Sequence, residues 1–177
     1  MKIVYSHLLN FLEKKPSLEE LSEKLFQLGH EHEIEGEVLD LEITPNRGDC
    51  LSLKGIARDL NHFYKASLEK EIYDAGIPES SLVFENKAED LCPNISFVEI
   101  EIEGKIKDYA PYLENYFQDL KLNKNNLFTD ISNYLAYETG QPTHCYDATK
   151  IDGSLVLEKR NKQEKFKTLL GLSLIHI

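Results

Sequence analysis

Leu18, Leu21, Leu25 and Leu28 recur at spacings of three and four, so they line one face of a helix that Gly29 stops. Ser17 and Glu20, directly after Pro16, stand in the arrangement of a capping box, in which a hydroxyl and a carboxylate each satisfy an orphan amide. Residues 1–29 therefore read as two short helices and GHEHEIEGE (29–37) as a polar connector, together a small helical module over 1–37. Val38, Leu39, Leu41 and Ile43 predict a short strand ending at Thr44-Pro45. After the turn at 46–49, Asp49 can cap a helix whose apolar face is Leu53, Ile56, Ala57, Leu60 and Phe63 or Tyr64.

The polar stretch 74–92 reads as a surface connection. From Ile95 the pattern turns to alternation: Phe97 sits opposite Val98, and Ile100 and Ile102 alternate with acids, as in a half-buried antiparallel strand. Helices are predicted over 110–120 and 126–139, and a strand over 154–159. In the second helix Leu127, Ile131 and Leu135 share a face, Gly140 supplies the left-handed position that ends it, and Pro142 prevents its resumption just ahead of His144. Helices and strands in irregular order predict an α+β fold, with the N-terminal module followed by a mixed, mostly antiparallel region over 38–177.

Composition changes the picture by exclusion. With 41% apolar residues in 177, the chain can bury a core, but no stretch approaches the roughly 18 apolar residues of a membrane span. The start lacks the apolar run of a signal peptide, and Cys50, Cys92 and Cys145 show neither disulfide nor zinc-ribbon spacing, so a cytoplasmic setting with no membrane partner is expected. A net charge of −11 argues against a DNA-binding protein and against a surface that grips RNA unaided. The basic runs at 121–126 and 158–167 read as solvated faces, with contact to an RNA backbone as the alternative.

Candidate chemistry centres on His144, an imidazole on a braced turn where it can donate to or accept from a ligand. Asn46, Arg47 and Asp49 form a polar knot read as a structural clamp of hydrogen bonds and charge. His30 and His32 alternate with acids as a metal pair on a strand would, but a charged connector explains them better, and no metal is expected. Neither Cys50 nor Cys145 has a convincing histidine and carboxylate set for nucleophilic work. No Gly-rich phosphate loop is present, so the segment itself should bind no ATP or other cofactor.

Residues 127–147, LFTDISNYLAYETGQPTHCYD, closely resemble DVTNYV…GQPLHAFD in the editing domain of the beta subunit of bacterial phenylalanyl-tRNA synthetase. The match runs through Asp130, Asn133, Tyr134, Gly140, Gln141, Pro142, His144 and Asp147. Residues 38–60 resemble a second stretch of that family through Thr44, Pro45, Asn46, Arg47, Asp49, Cys50, Gly55, Ile56, Ala57 and Arg58. Gly48 stands where the family usually has proline, and Asn94 where it usually has arginine. The resemblance implies an N-terminal module and the first part of a tRNA-editing domain, the connector at 29–37 replacing an oligonucleotide-binding insert. The chain's end in LSLIHI, where the family continues well past EKFKTLLG, implies a truncated or altered terminus.

The function so implied is that of part of a phenylalanine-tRNA ligase beta subunit, contributing to tRNA binding and to hydrolysis of mischarged tyrosyl-tRNA. His144 and Asn133 would be positioning groups of the editing pocket, Gly140 and Pro142 the frame of the turn. Implied partners are the alpha subunit, in an alpha–beta heterotetramer, and phenylalanine tRNA; ATP and magnesium would serve the whole synthetase. A free-standing editing hydrolase and a non-catalytic scaffold are the alternatives.

Overall fold

The computed structural model describes residues 1–66, 76–104 and 108–160, and the backbone of 164–168 and 171–175. The start of the 74–92 connection, the side chains of the basic run past Arg160 and those of the LSLIHI run lie outside the described residues. Two compact units divide the chain, Met1–Tyr73 with Gly104–Cys145, and Asp74–Glu103 with Tyr146–Ile177.

The first unit opens with strand β1 (Lys2–Val4), followed by helices α1 (Tyr5–Leu9) and α2 (Leu18–Gln27). The Ser17 hydroxyl accepts from the Glu20 amide at 3.2 Å, and Leu21 and Leu25 are buried. The polar connector is itself a strand, β2 (Glu31–Glu35), paired antiparallel with β3 (Val38–Glu42) across a tight turn in which Gly36 takes φ +63°. The sheet order is β1-β3-β2. An edge strand holds its place by backbone bonds and benefits from charged side chains, so its sequence carries no apolar signal.

A boundary at 37/38 would cut this hairpin. Moreover, Leu21 and Leu25 pack in the same core as Leu39, Leu41, Leu53, Ile56 and Leu60. Residues 1–37 thus hold two strands beside their helices, and Leu8, Leu21 and Leu25 close a core together with β3 and helix α3 (Leu53–Phe63).

Helix α3 buries Leu53, Ile56, Ala57 and Leu60 as its pattern predicts, but Ser52, not Asp49, caps it: the Ser52 hydroxyl accepts from the Gly55 amide at 3.0 Å. Asp49 lies one step earlier, in a 3₁₀ turn over Gly48–Cys50, where arginines engage its carboxylate. Helices α4 (Pro111–Asp119) and α5 (Leu127–Thr139) form where predicted. Leu113, Tyr116 and Phe117 of α4 pack against Leu127, Ile131, Tyr134 and Tyr137 of α5. Beneath them Asp130, fully buried, accepts from the Tyr109 hydroxyl at 2.6 Å and the Asn125 amide at 3.0 Å. That bond and burial hold the Tyr109 phenol protonated, pushed up to about 12.

In the second unit β4 (Val83–Asn86), inside the predicted surface connection, pairs in parallel with β5 (Ser154–Leu157). Strands β6 (Glu164–Thr168) and β7 (Gly171–Ile175) form an antiparallel hairpin. The alternating segment 95–104 joins no ladder, a correction to its reading as a strand: Val98 and Ile100 are 62% and 73% exposed. Alternation specifies which face would be buried, but a strand also needs a neighbour to pair with. The fold is α+β, with small sheets and flanking helices.

Candidate functional site

Arg47 sits at the centre of a charge network. Its guanidinium donates to both Asp49 oxygens, at 3.0 and 3.1 Å, to Asp59 at 2.5 Å and to the Cys50 sulfur at 2.8 Å. Arg58 adds a bond to Asp49, and His30, buried, approaches Asp59 at 3.4 Å. Burial pushes the Asp59 carboxyl up, but bonds and charge from Arg47, helped by His30 and Cys50, outweigh it and hold the group below its ordinary range. The Arg47 hydrogen bonds hold Asp49 far below that range. Burial and the negative charge of Asp59 push the Cys50 thiol up to about 12. Asn46 is exposed and outside the network.

Ligand atoms of His30, Cys50 and Asp59 lie within 4.8 Å of one another, as metal ligands would. A guanidinium already contacts two of them, and the thiol resists the deprotonation that metal binding needs, so this donor set does not fit a metal. His32 does not pair with His30: its ring nitrogens engage Ser22 and the His30 carbonyl, both at 2.8 Å.

The two sequence segments singled out above meet at the N-terminus of α3 and the C-terminus of α5. Gly140, at φ +75°, ends α5 so close to α3 that a Cβ there would stand 3.3 Å from Ser52 Cβ. At Gly55 a Cβ would fall 2.1 Å from the Asp49 carbonyl oxygen, so only glycine lets the 3₁₀ turn lie on the helix. Lys54 pairs with Glu138 across the junction at 2.8 Å. An open cleft of about 570 Å³ results, lined by Gly48, Asp49, Lys54, Arg58, Asn61 and Gln141 among others. Neither His144 nor Asn133 lines it.

His144 belongs instead to the irregular segment that returns along α5. Pro142 and His144 are exposed, as is Asn133 on the helix. Ser132 Oγ donates to the Thr143 carbonyl at 2.5 Å and lies 2.7 Å from Thr143 Oγ1, while Cys145 Sγ reaches the Phe128 carbonyl at 3.7 Å. The residues on both sides of His144 are therefore tied to α5, and the imidazole is left on the surface, free to bond a ligand. Ser132, Thr143, Arg58, Asp59 and Gln141 went unsingled as actors in the sequence. Nothing local marks Asp59 as the partner of His30, 29 residues away.

The B3/4 domain family matches residues 92–174. Phenylalanine-tRNA ligase beta subunits from Wolbachia sp. subsp. Brugia malayi, Aquifex aeolicus and Rickettsia bellii are 31%, 32% and 38% identical over 179, 135 and 124 residues, covering 94%, 76% and 69% of this chain. Those matches take in 22%, 17% and 14% of the relatives, so the chain spans about a fifth of their length. Over most of its length, the chain is similar to phenylalanine-tRNA ligase beta subunits.

Proposed function

We propose that this chain acts as part of a phenylalanine-tRNA ligase beta subunit, contributing to tRNA binding and to hydrolytic editing of tyrosyl-tRNA, in a cytoplasmic alpha–beta heterotetramer. ATP and magnesium serve the whole enzyme. The observation that carries this reading is an exposed imidazole on a tied turn, inside the residues matching the B3/4 domain. A phenylalanine site built of apolar side chains rejects an added hydroxyl only weakly, so a second site that recognises the hydroxyl is needed to clear the error. The aminoacyl ester is activated, and its hydrolysis requires chiefly a placed water; His144 and Asn133 hold substrate and water in register rather than attack.

The test is a complete beta subunit carrying this segment, assembled with its alpha partner. His144→Ala should slow deacylation of tyrosyl-tRNA at least tenfold, in the range that one positioning or acid–base group supplies, and leave phenylalanine charging within about twofold. Unchanged deacylation removes His144 from the mechanism. A non-catalytic scaffold is the second reading, favoured by the absence of His144 and Asn133 from the cleft that the two segments form; it predicts no deacylation by the intact assembly. Robust hydrolysis by residues 1–177 alone would instead point to a free-standing hydrolase.

A further inference from the structure

We propose that the cleft between α3 and α5 binds an oxyanion, a phosphate group, through the Ser52 hydroxyl, the first amides of α3 and the Arg58 guanidinium. The site stands apart from the editing role proposed for His144. Ser52 is 3% exposed and lines the cleft. Its oxygen accepts from the Gly55 amide at 3.0 Å, but its own proton meets no acceptor among the described residues. A hydroxyl carries one donor beside its lone pairs, and a buried donor left unspent costs free energy until something in the cleft accepts from it.

Other donors at the cleft are unspent in the same way. The Asn61 side chain, 2% exposed and also on the cleft wall, gives one amide proton to the Phe11 carbonyl at 2.8 Å, and the second meets no acceptor among the described residues. Nor do the amides of Leu53 and Lys54, since the Ser52 hydroxyl takes the Gly55 amide and the Ser52 carbonyl takes that of Ile56. Arg58 commits Nη2 to Asp49 and keeps its other nitrogens. Every unspent group named is a donor. What fits them is an acceptor with several lone pairs, and the positive end of the helix favours one that carries negative charge.

Space and charge are arranged for it. Gly140 also lines the cleft, and a Cβ there would stand 3.4 Å from Ser52 Oγ, so a side chain at that position would crowd the hydroxyl. Asp49 is a third neighbour, but Arg47 and Arg58 hold its carboxylate, while Lys54 balances Glu138 at 2.8 Å. An anion that takes up the spare donors therefore opens none of the ion pairs that fix the turn.

The test is titration of the 177-residue chain with inorganic phosphate at constant ionic strength, read by the amide resonances of Leu53, Lys54 and Gly55. Saturable shifts centred on these amides are expected. Ser52→Asp keeps the cap, because aspartate accepts from the Gly55 amide as serine does, but it puts a negative charge where the hydroxyl donated. It should melt close to the parent chain and bind phosphate roughly tenfold or more weakly. Ser52→Asn both caps and donates, and should bind within a few-fold of the parent. A short single-stranded oligoribonucleotide separates the sources of the phosphate: competition at these amides assigns the site to an RNA backbone, and no competition beside saturable phosphate binding assigns it to a free oxyanion. Binding by Ser52→Asp at the parent's affinity overturns the site. Shifts in the parent chain that grow without saturating, or that fall elsewhere, overturn it whatever the variants do.

Discussion

The turn entering α3 and the turn leaving α5 abut through Ser52 and Gly140, yet they direct their polar groups oppositely. At the first, Arg47 turns inward onto Asp49, Asp59 and Cys50, and every strong charge there has a partner. At the second, hydroxyls and carbonyls make the ties, and the one ionisable ring is left on the surface. A network whose charges cancel locally is suited to hold backbone in place and poorly suited to bind a ligand, since a ligand must first displace a partner. A turn tied by neutral groups keeps its imidazole available. The difference separates an inward-tied frame from a turn with an exposed imidazole, even though both segments are equally prominent as motifs.

The largest test of the frame is Gly55→Ala. A methyl 2.1 Å from the Asp49 carbonyl oxygen has backbone on the far side, so the turn must move as a whole. We expect a loss of about 3 kcal/mol or more in urea unfolding. Gly48→Ala is the control: nothing lies within 4 Å of a Cβ there, and the change should stay within about 0.5 kcal/mol. Comparable effects at both positions would dissolve the argument from close approach.

Next in size is Asp59→Ala, which strands Arg47 and His30 without their shared carboxylate. A fully buried pair would cost about 3–5 kcal/mol to break; with 17% of the Asp59 side chain exposed, about 2 kcal/mol is expected. The pH dependence carries the same sign. Both Asp49 and Asp59 are held below their ordinary carboxylate range, so each adds stability that is present above about pH 4 and lost as pH falls through the folded value. Acid titration of the melting temperature should show a shallower acid limb in Asp59→Asn than in the parent chain. An identical limb would detach the network from stability.

Gly140→Ala probes the seam between the two regions. A left-handed φ of +75° and a 3.3 Å approach to Ser52 Cβ together should cost about 1–2 kcal/mol. Smallest in energy but sharpest in contrast is thiol chemistry. Cys145, exposed beside His144, should react with a disulfide reagent within minutes, while Cys50, buried and with its thiol pushed up to about 12, should react only on unfolding. Equal rates under native conditions would contradict the inward and outward assignment.

What the sequence determined by itself is what neighbours within a turn or two determine. The leucine stripe and Ser17 cap of α2, the span of α5 and its stop at Gly140, and the apolar face of α3 rest on contacts three or four residues apart. Tertiary structure decided the remainder. The charged edge strand β2 exists because β3 offers a ladder, while the better-patterned 95–104 joins none among the described residues. Arg47 was legible as a clamp component, but Asp59 and His30 complete its surroundings from another helix and another strand's approach. Likewise the GQPTH turn announced a presented histidine, whereas Ser132, eleven residues before Thr143, meets it only because the chain doubles back along α5. Local periodicity encodes which faces are apolar; which polar groups face each other depends on how the chain returns, and that is settled by packing the whole core at once.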